Sequence, residues 1–264
     1  MKWTIDKNVI SSIKFNSEEV INPWGVETSD TSAFFSLEDG IGYRYETIDE
    51  REEVKEHSHS YQALIKMMNG SFKIKLNEKL EGNKVIRTVE IVVVEDLPLM
   101  DFVMRFRFKD DFFNKAEIDE KSFKNDGSNI YHQFKTDRAK LIGDKLQVKI
   151  VATEFVAPTS FDQCMYVRSR NGEWIVHARM IPNKSDRDVI KLCSRWFKTR
   201  PLPEILSDFL LKSKRFRKGT WYRGERNPFK SRILNVFNPN SFPMIELREG
   251  DVLRWTVECE ISER

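Results

Sequence analysis

Cysteine is scarce in this sequence of 264 residues, which holds only Cys164, Cys193 and Cys259. The three are odd in number, widely spaced and form no C-x-x-C pair, so a disulfide framework is not indicated. We predict reduced thiols with packing roles, as is typical of cytoplasmic proteins. The eleven glycines and nine prolines are too few for a disordered or low-complexity chain.

Long apolar runs are also missing. No segment approaches the roughly 18–20 apolar residues that span a bilayer, and the opening MKWTID holds no apolar region of a signal peptide. Hydrophobic residues make up 40% and charged residues 32% of the chain, which is typical of a globular protein. We therefore expect a soluble, cytoplasmic protein with no membrane partner.

The short motifs of several enzyme classes are absent. The sequence has no G-x-x-x-x-G-K-[ST] phosphate loop, no G-x-G-x-x-G dinucleotide fingerprint, no G-x-S-x-G elbow and no H-E-x-x-H zinc motif. Nucleotide hydrolysis and serine hydrolysis are therefore disfavoured. Carboxylates such as Asp110 and Glu154 are scattered, and nothing in their spacing indicates an acid/base pair.

Aromatic residues and period-two alternation are what the sequence does hold. Aromatics reach 12% with nineteen Phe, a composition that favours strands. Residues 101–108 and 253–261 alternate apolar and polar side chains, as antiparallel strands with one buried face do. The polar members of the first segment are Asp101, Arg105 and Arg107. We predict a mainly β protein, a large antiparallel β-sandwich or open barrel forming one domain over residues 1–264.

A basic helical insertion is predicted at about residues 185–214. Ser185-Asp186-Arg187-Asp188 resembles a capping box. The apolar residues that follow it at helical spacing are Val189, Ile190, Cys193, Trp196 and Phe197. A second helix is predicted from about Leu202 to Lys212, with an apolar stripe that includes Ile205 and Phe209.

Positive charge is concentrated in and beyond this insertion. Residues 186–232 hold fourteen Lys and Arg against five Asp and Glu, although the whole chain carries a net charge of only +3. Rings alternate with the cations, and Trp221, Tyr222 and Arg223 form one such run. Basic residues among rings can neutralise phosphates and stack on bases or sugars, but a solvated charged loop has the same composition.

Asn171-Gly172 indicates a tight hairpin between two alternating segments. A two-residue loop there places opposite each other the mostly apolar pairs Ser169–Trp174, Val167–Val176 and Met165–Ala178, which we predict to face the core. The other side then carries the pairs Arg168–Ile175, Tyr166–His177 and Cys164–Arg179. We predict that Tyr166, Arg168 and Arg179 bind an anionic ligand, with Trp221, Tyr222 and Arg223 as neighbouring ligand-binding residues and His177 as the acid/base group of any reaction. A solvated outer face of the hairpin is the alternative.

His57-Ser58-His59 is a candidate metal site, since two residues apart on a strand both imidazoles lie on one side. The run His57-x-His59, with Gln62 and a turn at Gly70, is similar to the first half of a cupin metal signature over about fourteen residues. Its second half, with a third histidine, is absent between residues 78 and 113. The resemblance implies a metal-dependent, cupin-like β-barrel enzyme using His57 and His59. A pair of surface histidines beside the acidic run 46–56 is the alternative.

Three functional hypotheses follow from these features. The first is binding, with enzymatic modification left open, of an anionic, ring-bearing ligand such as an acidic or phosphorylated glycan or a nucleotide sugar. The second is the metal-dependent cupin-like enzyme. The third is a nucleic-acid-binding or scaffold protein that uses the basic residues 186–232. The sequence indicates no particular cofactor and no oligomeric state.

Overall fold

The structure is a computed structural model and describes residues 1–38, 42–158, 160–170, 172–184, 186–195, 198–213 and 239–264. Within these ranges the chain forms twenty-two β-strands, one α-helix and a 3-10 turn at Asp110–Phe112. In chain order the elements are β1 Lys2–Asp6, β2 Val9–Phe15, β3 Glu18–Glu19, β4 Ile21–Ser29, β5 Phe34–Ser36, β6 Glu46–Lys55, β7 Ser58–Met67, β8 Gly70–Glu81, β9 Lys84–Glu95, β10 Leu97–Leu99, β11 Asp101–Lys109, β12 Lys115–Ile118, β13 Lys121–Lys124, β14 His132–Phe134, β15 Arg138–Ile142, β16 Leu146–Val156, β17 Phe161–Arg170, β18 Glu173–Pro182, β19 Arg187–Arg195, β20 Lys198–Pro201, α1 Glu204–Leu211, β21 Pro239–Leu247 and β22 Val252–Glu263.

The largest sheet has nine antiparallel strands in the order β13-β12-β15-β16-β22-β9-β8-β7-β6. Its central strands β8, β9 and β22 alternate between buried and more exposed residues over most of their length, because successive side chains point to opposite faces. Ile74 and Leu76 of β8 are buried opposite Ile91 and Val89 of β9, whereas Lys75 between them is exposed. One face of this sheet therefore forms core, and the other is largely open to solvent.

The second large sheet has six strands in the order β14-β17-β18-β11-β4-β5. Here alternation of residue type is not matched by alternation of burial, since nearly every residue of β11 and β18 is buried. Phe106 and Phe108 point to one side as predicted, and Arg105 points to the other, yet Arg105 is only 9% exposed. This sheet thus has an apolar face and a polar face that is itself mostly shielded from solvent.

The apolar faces of the two large sheets pack together into one core. Aromatic rings of the six-stranded sheet contact the nine-stranded sheet directly, as where Phe35 meets Phe72 edge-to-face with ring centroids 5.7 Å apart. Trp24 and Trp174 from one sheet and Trp255 from the other are fully buried in the same cluster. The predicted mainly β, antiparallel sandwich is confirmed. The extent of the domain stays a prediction.

The predicted helix after Ser185 is wrong, because Arg187–Arg195 form the strand β19. This strand belongs to a four-stranded sheet of order β10-β21-β19-β20, and it pairs with β21 through contacts such as Val189 opposite Phe242. The β-branched residues Val189 and Ile190 suit a strand. Their pairing partner lies far along the chain, so the local helical spacing was overridden by tertiary structure.

The second predicted helix is confirmed as α1, Glu204–Leu211. Its apolar stripe is not buried as a whole, since Ile205 is 88% and Phe209 70% exposed, whereas Ser207 is buried. Of the helices among the described residues, none has the length and apolar character needed to cross a bilayer.

Candidate functional site

The polar side of the six-stranded sheet is the candidate site, and we call it the polar face. Its strands bring together residues that are distant in sequence, because antiparallel neighbours place their side chains in rows across the sheet. The residues of the polar face are Glu27, Glu38, Asp101, Arg105, Arg107, Gln133, Tyr166, Arg168, Glu173, His177 and Arg179.

The β17–β18 hairpin supplies half of this face, and its register is the predicted one. Tyr166 lies opposite His177, Arg168 opposite Ile175, and Cys164 opposite Arg179. The next strand, β11, continues the central row by placing Arg105 opposite His177. Asn171, the first residue of the predicted turn, lies outside the described residues.

Tyr166 and His177 form a buried, uncharged pair at the centre of the polar face. The phenol oxygen lies 3.1 Å from Nε2 of the imidazole, and the two residues are 2% and 7% exposed. Burial holds the pKa of His177 well below its usual value, and the guanidiniums of Arg105, Arg168 and Arg179 lower it further. Burial also raises the pKa of Tyr166. Near neutral pH the pair is therefore a neutral imidazole beside a neutral phenol.

Arg179 and Arg105 are held by buried carboxylates. Arg179 pairs through Nη2 with Asp101 and donates from Nη1 to the side-chain oxygen of Gln133 at 2.6 Å. Arg105 contacts Glu27 at 2.7 Å and also pairs with Glu38. Each guanidinium thus contacts two side chains of the face through different nitrogens.

Arg107 completes this network. Its Nε donates to Glu173 at 2.7 Å, and its Nη1 lies 2.9 Å from Glu38, which bridges Arg105 and Arg107. Among the described residues the face thus holds four guanidiniums and the carboxylates of Glu27, Glu38, Asp101 and Glu173. Arg168 and Arg179 lie on the same side of the hairpin, but the charges of the face are close to balanced by acids, of which the sequence pattern indicated only Asp101.

Arg168 contacts two polar side chains and an aromatic ring. It is partly exposed, and its Nη1 donates to the Tyr131 hydroxyl at 2.5 Å and to the Asn129 side-chain oxygen at 3.2 Å. Its guanidinium also stands 4.8 Å from the centroid of the Tyr131 ring. Arg168 therefore lies at the more open end of the face, beside neutral oxygens and an aromatic ring.

The two histidines of the predicted metal site are not brought together. Strand β7 begins at Ser58, so His57 lies in the preceding turn with a side chain 66% exposed, whereas His59 is 1% exposed. The ring nitrogens of His59 contact Glu78 at 2.7 Å and Glu52 at 3.1 Å. Among the described residues no group of three or more His, Cys, Asp or Glu is arranged to hold a metal ion.

Some predicted residues lie outside the described part of the chain, and two buried charged residues were not predicted. Trp221, Tyr222 and Arg223, predicted as neighbours of the ligand, lie outside the described residues, as do residues 214–232 of the basic segment. Conversely, sequence reasoning missed Glu78 and Arg87, which are fully buried. A signal for them existed, because both occupy apolar-parity positions of the alternating strands β8 and β9.

Comparison with known proteins adds the fold. No protein-family model matches the chain, and no curated protein matches its sequence. The structure is similar to a galactose mutarotase-like protein from Lactobacillus casei, with a TM-score of 0.51 and 8% identity, over 98% of this chain and 96% of that one. A galactose mutarotase-like protein from Clostridium acetobutylicum matches with a TM-score of 0.46 and 7% identity, over 97% and 90% of the two chains. At such identities the likeness to the Lactobacillus protein shows a shared sandwich fold.

Proposed function

We propose that the polar face binds a sugar and that it favours an acidic or phosphorylated one. The observation that carries this proposal is the density of fixed donors and acceptors on a shielded sheet surface. Paired guanidiniums and carboxylates such as Arg107 and Glu173 offer a donor and an acceptor side by side, which suits vicinal hydroxyl groups. The galactose mutarotase-like description of the Lactobacillus protein supports a sugar as the ligand class.

The preference for an acidic sugar rests on Arg168. Among the described residues, the rest of the face holds three guanidiniums and four carboxylates, so a neutral polyhydroxylated ring suits it better than an anion does. Arg168 is partly exposed and lies beside the Tyr131 hydroxyl and the Asn129 side-chain oxygen, and a guanidinium binds carboxylate or phosphate in a fork geometry. The Tyr131 and Tyr166 rings, with centroids 5.4 Å apart, add apolar surface for a sugar ring. Trp221, Tyr222 and Arg223 remain proposed neighbours of the ligand.

Calorimetric titration with galactose, galacturonate and galactose 6-phosphate tests the binding proposal. We expect the acidic sugars to bind about tenfold more tightly than galactose, which corresponds to about 1.4 kcal/mol. Arg168→Ala removes this difference and leaves galactose affinity nearly unchanged. Arg138→Ala is the matched control, because Arg138 is exposed on the other sheet and pairs with Asp137 at 2.8 Å. No saturable binding of any of the three sugars overturns the proposal, and equal affinities overturn the acidic preference alone.

For any reaction on the bound sugar we propose His177 as the acid/base group. It is neutral at the working pH and already contacts a phenol that can relay a proton. The reaction to assay is the interconversion of α- and β-galactose, followed by saturation-transfer NMR, because the Lactobacillus protein is described as galactose mutarotase-like. His177→Gln is expected to keep sugar binding and to abolish enzyme-catalysed exchange. Unaltered exchange in this variant contradicts the assignment of His177.

A further inference from the structure

An irregularity in the sheet lies directly beneath the centre of the polar face. Strands β4 and β11 shift register between Arg105, which pairs with Gly25, and Arg107, which pairs with Asn22. Strand β4 thus carries an extra residue, Pro23 or Trp24, as in a β-bulge. Proline has no N–H to donate to a ladder, so its presence in β4 is consistent with the interruption.

Side chains bond the backbone of β11 at this irregularity. The carbonyl of Arg107 accepts a hydrogen bond from the indole N–H of Trp24 at 3.1 Å. The carbonyl of Arg105 accepts one from Nη1 of Arg87 at 3.2 Å. Arg87 belongs to β9 of the opposite sheet, so this second bond crosses the core of the sandwich.

Arg87 is a buried charge held in a defined place. It is 0% exposed, its guanidinium lies 5.6 Å and 5.2 Å from the centroids of the Trp24 and Phe106 rings, and its Nε donates to Glu78 at 2.6 Å. Glu78 in turn contacts His59 at 2.7 Å. Burial alone raises the pKa of Glu78, but Arg87 and His59 outweigh it, so the pKa of Glu78 is lowered and the carboxylate stays charged.

A buried charged row made of Arg87, Glu78 and His59 is a poor way to stabilise an apolar core. Ion pairs lose their hydration on burial, and well-packed hydrophobic residues of similar volume serve stability as well or better. What a hydrophobic residue cannot do is donate a hydrogen bond to the Arg105 carbonyl. The row therefore has a geometric consequence that apolar packing lacks.

We propose that Arg87 is a positioning residue of the polar face, which holds β11 at Arg105 and so sets where the Arg105 guanidinium stands relative to His177 and the ligand. The side chain of Arg105 lies over Gly25, where an added Cβ would come within 3.3 Å of Nη2, so its position depends closely on the backbone beneath it. The expected effect on ligand binding rests on the proposed function, whereas the expected effect on the position of Arg105 beside His177 is independent of it.

The test is a pair of Arg87 variants with two independent readouts. Arg87→Met keeps much of the volume and removes both hydrogen bonds. We expect sugar affinity to fall at least tenfold, and we expect the pKa of His177, followed by NMR of its ring protons, to rise as Arg105 moves away. In the folded protein burial lowers the pKa of His177 most, and Arg105 is the largest of the charges that lower it further, so a displaced Arg105 is visible in the titration.

Controls separate positioning from general loss of stability. Ile150→Ala removes a buried side chain of β16, a strand that contributes no residue to the polar face, and it is expected to destabilise the fold while leaving the His177 titration as in wild type. If Arg87→Met does not fold, Arg87→Lys decides. A lysine lacks the fork that reaches both Glu78 and the carbonyl, so a smaller shift of the same sign is expected. An unchanged His177 titration in the folded variant overturns the proposal.

The two proposals fail in distinguishable ways. If wild-type protein binds no sugar and the His177 pKa still shifts in Arg87→Met, the proposed function is wrong and the positioning role of Arg87 stands. If wild-type protein binds sugar and Arg87→Met binds it equally well with an unchanged titration, the positioning role is wrong and the proposed function stands.

Discussion

At the scale of single residues, burial changes what each arginine of the polar face can contribute. Arg179 is 2% exposed and is held by Asp101 and Gln133. Its main contribution is therefore to the structure of the face, because its guanidinium is already bonded to protein groups. Arg168 is partly exposed, and its Nη1 donates to the Tyr131 hydroxyl and to the Asn129 side-chain oxygen. From sequence the two arginines were equivalent ligand-binding candidates, and the structure gives them different environments.

The stability of two alanine variants measures this difference. Arg179→Ala leaves the carboxylate of Asp101 buried beside an unfilled space, and we expect a loss of about 3–5 kcal/mol in the free energy of unfolding, measured by urea denaturation. Arg168→Ala, the matched variant on the same face, is expected to lose about 1 kcal/mol or less. Equal losses in the two variants would contradict the distinction.

At the scale of elements, the local sequence pattern was sufficient to predict strand pairing where the two paired strands are joined by a short turn. The β17–β18 hairpin has the predicted register, because a tight loop and a period-two alternation together leave little freedom. The second predicted helix is present as α1 for a similarly local reason. Where the partner lies far along the chain, as for β19 and β21, the local pattern indicated a helix and the structure has a strand.

The shift of register between β4 and β11 is an element-scale feature that local pattern does not reveal. Pro23 and Gly25 interrupt the alternation of β4, which indicates a weak or irregular strand but not the strand beside which it lies. Because β4 lies next to β11, the carboxylate of Glu27 contacts the guanidinium of Arg105. At the register shift between these two strands, the carbonyl of Arg105 accepts a hydrogen bond from Arg87 of the opposite sheet.

At the scale of the whole molecule, the two large sheets have different second faces. The outer face of the nine-stranded sheet is largely solvated, whereas the polar face of the six-stranded sheet is mostly shielded. Sheltered polar groups interact more strongly than exposed ones, because the local dielectric is lower. This asymmetry is what makes the polar face, and not the solvated outer face, the better candidate for recognition.

The pH dependence of folding follows from His177. Above its unfolded pKa of about 6.5 the imidazole is neutral in both states and contributes nothing. Below that value the unfolded chain takes up a proton that the folded state, with its lowered pKa, does not bind, so stability falls as the pH falls. Between pH 7.5 and 5.5 we expect the wild type to lose about 1 kcal/mol more than His177→Gln, measured by urea denaturation at both pH values. Parallel pH profiles of the two proteins would show that His177 is not held neutral.

What the sequence determined by itself is what neighbouring residues can encode. Alternation sets which side of a strand a residue occupies, and a short turn sets which residues face each other, so the sandwich class and the Tyr166–His177 pairing were both readable. Tertiary structure alone decided that the polar side of the hairpin is shielded and that Asp101, Glu27 and Glu38 meet the guanidiniums there. It also decided that His59 is buried whereas His57 is exposed. These outcomes depend on which distant strands become neighbours, and that choice is made by the packing of two whole sheets, a long-range quantity that no short segment carries.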